Sequence, residues 1–383
     1  IDPAGIIIFK APGNQKNPAV ESNGDIFLVV WEDDRKNEIT GTDIYGTRVS
    51  GDGIIMDPDG FVVSEAVDLQ EVPKVASVDE NFFVVWSDHR TGTNNDIYGT
   101  LVSSGGTISH PDGLAVCTQS SWQGYPDISA DATRYFLVWA DQRGFSKDIY
   151  GVFIKTDGTI SHTNGLGLVT MFNNQNYPSV TWGGTQFFLA WEENQSGSFT
   201  KVYGSRISSS GVLLDAGGIV IASSTDYYYV EPATAFDGDN FIVTYSNSIG
   251  DPVIDYNVLA SRIDNEGHLV DINGLIISDT SGIQKAPAIL YDGKNCLLAW
   301  EDNHIGNDQI NAAFLDHSGV VSPIGGFEVT RGYNNQLFGD AAFDGTNYMA
   351  VWCDTRNEKN MNIFAARIND QGVVLDQQAI AIT

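Results

Sequence analysis

Seven aromatic residues, Trp31, Trp86, Trp139, Trp191, Tyr245, Trp300 and Trp352, are each followed two positions later by a carboxylate or an amide, at gaps of 55, 53, 52, 54, 55 and 52 residues. A period this steady over seven copies makes the chain one structural unit repeated. It also sorts the residues. A side chain present in every copy builds the unit, whereas one present in a single copy is available for something else.

One copy runs from Pro73 to Tyr125 and holds four strand-like runs. The first, Lys74 to Val78, follows a proline that recurs as Pro18, Pro126, Pro178, Pro232 and Pro287, with Gly339 in the seventh copy; proline is tolerated at a strand's first residue. A polar turn such as Asn23-Gly24-Asp25 or Asp237-Gly238-Asp239 closes a short hairpin into the second run. That run, as in Phe27-Leu28-Val29-Val30-Trp31, is apolar throughout and suits a central strand covered on both faces. The third is Asp96-Ile97-Tyr98-Gly99, matched by Asp43-Ile44-Tyr45-Gly46 and Asp148-Ile149-Tyr150-Gly151. A Gly-containing turn then leads to a short outer run such as Gly113 to Thr118.

Four antiparallel strands of this length cannot cover both of their own faces, but seven such sheets set radially cover each other. The sequence therefore predicts an all-β, seven-bladed β-propeller with four-stranded antiparallel blades of about 52–55 residues, a single domain over 1–383. The predicted blades are approximately 17–72, 73–125, 126–177, 178–231, 232–286, 287–338 and 339–383, with 1–16 contributing an outer or closing strand. A β-solenoid is the rival architecture, but its repeats are usually shorter than ~50 residues.

Composition narrows the partners. Hydrophobic residues make up 42%, aromatics 11% and charged residues 18%, with 40 glycines, a mix that favours short strands and tight turns over helices or disorder. The formal net charge of −29 argues against nucleic acid, whose binding rests on Lys and Arg neutralising phosphates. No run approaches the ~20 apolar residues of a membrane helix. Cys117, Cys296 and Cys353 lack CxxC spacing and read as buried thiols. The chain opens partway through a repeat, which reads as an excised or mature part of a longer multidomain protein, secreted or held at the cell surface.

Two residues past the aromatic stand Asp33, Asp88, Asp141 and Asp354, and four past it stand Arg35, Arg90, Arg143 and Arg356; Asp43, Asp96 and Asp148 head the third run. A guanidinium between two carboxylates makes bidentate bonds that fix a loop, so these residues are read as a structural staple. The segment WSDHRTGTNNDIYGTLVSSGG, Trp86 to Gly106, resembles Tol-type propeller repeats. It resembles more closely the W-x-D-x-R…D-I-Y-G repeats of secreted bacterial surface proteins. The resemblance implies architecture and an extracellular setting, and no particular chemistry. This chain departs from the Tol pattern in its Gly after the Tyr, its longer repeats and its seven units.

The segments joining one copy to the next differ most. They carry Trp122 and Gln123, Phe172 and Asn174, Tyr227, Tyr228 and Tyr229, and Tyr333 and Asn335. The predicted strand order places them on the face that also bears Asp33 and Asp88, around the channel mouth, and loops clustered at one end of a rigid scaffold are where binding resides. Flat aromatics beside planar amides suit sugar rings and also protein partners. Packing between blades is the structural reading of the same residues.

Glu32, Glu192, Glu193 and Glu301 stand where a glycosidase could place its pair of carboxyls, but each fills a position that several copies fill, which favours a structural role. The six histidines are scattered without metal-ligand spacing. Calcium is the one cofactor to look for, at the acidic turns Asp57-Pro58-Asp59-Gly60 and Asp264-Asn265-Glu266-Gly267, although neither follows the twelve-residue loop pattern. The reading that results is a non-catalytic extracellular scaffold binding a glycan or a protein. A carbohydrate-active enzyme, a lyase or a glycosidase, is the alternative, since a propeller hosts many activities.

Overall fold

A computed structural model describes residues 12–194, 200–224, 228–249, 255–304, 306–330, 336–356, 360–376 and 380–381. These residues form seven antiparallel sheets of four strands each, paired in chain order, spanning 15–64, 70–117, 123–169, 174–222, 229–278, 284–330 and 336–381. The molecule is a seven-bladed β-propeller.

In blade 1 the strands are Gln15–Ser22, Ile26–Asp33, Asp43–Ser50 and Phe61–Ser64, numbered from the channel outward. The second strand is buried at every residue, as its unbroken apolar run predicts. Registers Gln15↔Asp33 and Asp33↔Asp43 put the start of the first strand, the second hairpin and the inter-blade loop on one face. All four strands of blade 7 come from the last repeat, with Ile380–Ala381 as the outermost. The expected closing strand within 1–16 falls largely outside the described residues, and Gln15 and Lys16 open the first strand of blade 1.

Three residues before the proline, or before Gly339 in blade 7, lies a repeated position at the start of each first strand. The position is filled by Gln15, Gln70, Gln123, Gln284 and Gln336, all fully buried, with Gln175 in the same place in blade 4 and Tyr229 in blade 5. Its side chain ties the preceding loop: Gln70 Nε2 donates to the carbonyls of Ala66 and Asp68 at 3.0 and 2.7 Å, and Gln123 Nε2 to that of Ser121 at 2.5 Å.

Seven apolar clusters fill the seams between blades, each built around one repeat aromatic. The six repeat tryptophans are all buried without exposure. Trp31 packs with Val351, Cys353 and Ile363 of blade 7, so the ring closes by the same contacts that join its other members. The three cysteines are buried free thiols.

The staple differs from its sequence reading in one partner. Asp33 accepts from Arg35 Nε at 2.9 Å and Nη2 at 2.6 Å and from Trp31 Nε1 at 2.9 Å. Blades 2 and 3 repeat the arrangement through Asp88 with Arg90 and Asp141 with Arg143, and in blade 7 Arg356 binds Asp354. The second carboxylate is bound otherwise. Asp43 Oδ2 accepts from Thr40 Oγ1 at 2.9 Å, Asp96 from Thr91 at 3.3 Å and Asp148 from Ser146 at 3.4 Å. The guanidinium instead lies over the aromatic of the D-I-Y segment, 3.9 Å above Tyr45, 4.0 Å above Tyr98, 3.8 Å above Tyr150 and 4.4 Å above Phe364.

A second staple closes the outer hairpin on the opposite face. Arg48 grips Asp57 with Nε and Nη2 at 2.9 and 2.8 Å, and its Nη1 reaches the Ser104 carbonyl of blade 2 at 2.9 Å. Arg206 with Asp215, Arg262 with Asp271 and Arg367 with Asp376 do the same, and Arg367 Nη1 binds the Gly51 carbonyl across the closing seam at 3.0 Å. Blades 2 and 3 have Leu101 and Phe153 in the Arg position, and His110 and His162 stand where the Asp would be.

Candidate functional site

A central channel of about 780 Å³ runs between the seven first strands. Each of those strands carries a β-bulge at the proline or at Gly339, where its register against the second strand slips. The residue before the proline takes a left-handed conformation, with φ of 47° at Asn17, 53° at Val72, 52° at Tyr125, 47° at Tyr177, 57° at Glu231 and 50° at Ala286. Non-glycine residues rarely adopt this conformation. The bulge turns these side chains to the channel mouth, on the face that bears the inter-blade loops. The bulge is therefore common to the seven positions and the left-handed residue to six of them, while the side chains differ.

Three carboxylates brace the bulges from behind. Glu32 Oε1 accepts the Val72 amide at 2.7 Å, Glu192 Oε1 the Glu231 amide at 2.6 Å and Glu301 Oε1 the Phe338 amide at 3.0 Å, each across a blade seam. Glu231 continues the chain, its Oε2 accepting the Ala286 amide at 2.7 Å. Lys285 Nζ stands 3.4 Å from Glu301 Oε2. Burial pushes Glu192 up to about 7, and the neighbouring Glu231 adds to the rise. Burial pushes Glu301 up to about 7 as well, against the pull of Lys285. Glu32 is raised for the same reason. Glu192 and Glu301 are thus acids that hold a proton near neutrality.

Beside Glu192 and Glu231 the wall is aromatic. Tyr177 and Tyr125 lie with centroids 4.2 Å apart and hydroxyls 3.3 Å apart, and Trp122 meets Tyr125 edge-on at 5.3 Å. Lys147 Nζ sits 4.2 Å over the Trp122 ring and 5.5 Å from that of Tyr125. Gly124 makes the space for Trp122, because a Cβ there would come within 2.4 Å of its Cζ2. The same position holds Lys16, Glu71, Asn176, Val230, Lys285 and Leu337 in the other blades. Deeper in the channel stand Lys74, Asp127, Asp340 and Glu21. Asp127 accepts the Val180 amide at 2.8 Å and Asp340 the Val20 amide at 3.3 Å.

Of the residues expected from sequence to bind, Trp122 joins this wall. Phe172 is fully exposed on the adjoining loop, as is Phe145 on the neighbouring hairpin. Gln123 is fully buried and belongs to the repeated loop tie, so it is not on the surface. Asn174 accepts the Lys147 amide at 3.0 Å and so shapes the loop that carries Lys147. Tyr228 is part-exposed, and Tyr229 packs edge-on against the core Tyr245 at 5.7 Å. Tyr227, Tyr333 and Asn335 lie outside the described residues.

The two acidic turns are used internally. Both oxygens of Asp57 are on Arg48, and the Asp59 carbonyl accepts from Arg35 at 3.1 Å. Asp264, Glu266 and His268 bring one ligand atom each within 4.8 Å of one another, but Asp264 Oδ1 already accepts the amides of Glu266 and His268 at 2.9 and 2.8 Å, closing the turn. No helix among the described residues is long and apolar enough to cross a membrane.

No protein-family model matches the sequence, and no curated relative matches it. Among solved structures, a puromycin-hydrolyzing peptidase of Mycobacterium tuberculosis superposes with a TM-score of 0.56 at 13% identity, over 98% of this chain and 54% of the peptidase. This chain thus spans about half the length of that enzyme. A protein of unknown function from Dyadobacter fermentans superposes with a TM-score of 0.56 at 11% identity, over 94% and 96% of the two chains. A thermostable family-43 glycoside hydrolase covers 73% of this chain at 11% identity with a TM-score of 0.43, too loose a fit to align a site. These likenesses are of fold.

Proposed function

We propose that the channel mouth on the loop-bearing face is a saccharide site, and that the chain is a carbohydrate-active enzyme, a glycosidase or a polysaccharide lyase, rather than a passive scaffold. The observation that carries this reading is Glu231, an acid that the repeat does not require, standing against the buried bracing acid Glu192. Glu231 is the single carboxylate among the seven bulge positions, and its charge is felt at Glu192, Glu301, Lys285 and Tyr177. Glycoside cleavage needs a carboxylic acid that still holds its proton and a second carboxyl to attack or to activate water. Glu192 and Glu231 supply that pair beside an aromatic face on which a sugar ring stacks. Such a substrate fits the extracellular setting that the repeat resemblance implies.

Non-catalytic recognition of a glycan or a protein is the second reading. It is favoured by the amides that Glu32, Glu192 and Glu301 already hold, which give each of them a structural duty. Incubation with a panel of polysaccharides, scored for reducing ends and for unsaturated products, separates the two. We expect release by the native chain and a loss of about 10²-fold or more in Glu231→Gln, in line with removal of an acid or base. Binding without release from any polysaccharide would leave the recognition scaffold.

A further inference from the structure

We propose that Lys147, held over Trp122, receives the carboxylate of a uronic acid unit, so that the saccharide taken at the channel mouth is an acidic one. This rests on the saccharide reading of that mouth and names its substrate class.

The chain has 20 Lys and Arg against 49 Asp and Glu, and its cations are mostly committed. Arg35, Arg48, Arg90, Arg134, Arg143, Arg206, Arg262, Arg356 and Arg367 each meet a carboxylate, as do Lys16, Lys36 and Lys285. Lys147 is part-buried and makes no ion pair among the described residues; its charge meets only the faces of Trp122 and Tyr125. Burial alone lowers its pKa, with no carboxylate offsetting the fall. A ring face is a weaker partner than a carboxylate for an ammonium drawn out of water in so acidic a protein. A counter-charge arriving with the ligand resolves this.

The surroundings are built for a sugar. Gly124 is the one glycine among the seven equivalent positions, and it lets Trp122 lie against the strand. Trp122, Tyr125 and Tyr177 then form a continuous aromatic wall from Lys147 inward to Glu192 and Glu231. A single ammonium suits one carboxylate, whereas a sulfate ester is better matched by the planar fork of arginine.

The test is calorimetric titration at about 0.15 M salt, where screening limits repulsion from the acidic protein to roughly 8 Å. The probes are trisaccharides of galacturonate, mannuronate and glucuronate, each against its carboxyl-reduced form, with a sulfated galactan oligosaccharide as a further arm. At least one acidic trisaccharide is expected to bind about tenfold or more tighter than its reduced form, an increment on the scale of a charge-assisted bond. Lys147→Met should lower that affinity to the level of the reduced sugar, Lys147→Arg should keep a preference, and Trp122→Ala should weaken both forms, each with the native melting temperature. Equal binding of acidic and reduced forms, tighter binding of the sulfated sugar, or a preference that survives Lys147→Met overturns the uronate assignment while leaving a saccharide site. Absence of binding by every probe overturns both.

Discussion

At the scale of single residues, the W-x-D-x-R…D-I-Y motif is one bonded unit. The register pairs Trp31 with Tyr45 and Asp33 with Asp43, so the ring beneath the guanidinium and the acid beside it come from a neighbouring strand. Half of this was legible in the sequence. The bond of Asp33 to Arg35 follows from spacing along one strand, whereas the choice of Tyr45 over Asp43 as the other neighbour depends on strand pairing, to which spacing is blind. Asp43 is left with burial and a threonine, and its pKa is pushed up to about 6. In blade 6 the motif is rebuilt with other atoms: His304 and Asn311 donate to Asp302 at 2.6 and 2.9 Å. Asp88 is fully buried and accepts from Trp86 and Arg90. Asp88→Ala strands both donors, and urea denaturation should show a loss of about 3–5 kcal/mol, the range for breaking a buried pair.

At the scale of elements, the first strand of each blade decides the site, through a feature to which strand periodicity is blind. Strand faces are inferred from alternation with period two, and a bulge breaks that alternation at the residue that matters. Alternation therefore does not point to Tyr125, Tyr177 and Glu231, although alignment on the repeated prolines puts them in one column with unlike occupants. Gln123 lies off the surface for the opposite reason. It recurs at the spacing of the tryptophans, and that period marks it as part of the scaffold. The bulge also predicts a stabilising change. Val72 is β-branched at φ 53°, and Asn tolerates that region far better. Since Val72 keeps its amide bond to Glu32 in either case, Val72→Asn should raise stability by about 0.5–1 kcal/mol in denaturant melts.

At the scale of the whole molecule, the ring holds several acids that folding makes weaker. Glu21, Glu192 and Glu301 go from 4.5 to about 7, chiefly by burial. Between those values the folded chain binds protons that the unfolded chain does not, so stability falls as pH rises through the window. Asp57, Asp215 and Asp271 act oppositely: burial raises them, but their Arg partners prevail and hold them below 3.8, so their contribution is lost only in stronger acid. Urea denaturation should therefore give greater stability at about pH 5 than at about pH 8, and Glu192→Gln should narrow that difference. An unchanged difference in the variant would assign the effect to net charge alone. The seven-fold count and the closed ring were legible because each rests on a period repeated along the chain. The site was not, because it lies in departures from that period.

The bulges also bear on how such a protein diverges. Each turns one side chain toward the channel by backbone geometry alone, and occupants as unlike as Asn17, Val72, Tyr177 and Glu231 stand at equivalent places without disturbing the sheets. The mouth thus works as a seven-letter word written on a fixed frame. Duplicated copies of this gene could acquire new ligands by spelling changes at seven codons, and exchange of blades between such copies would recombine specificities while leaving the frame intact.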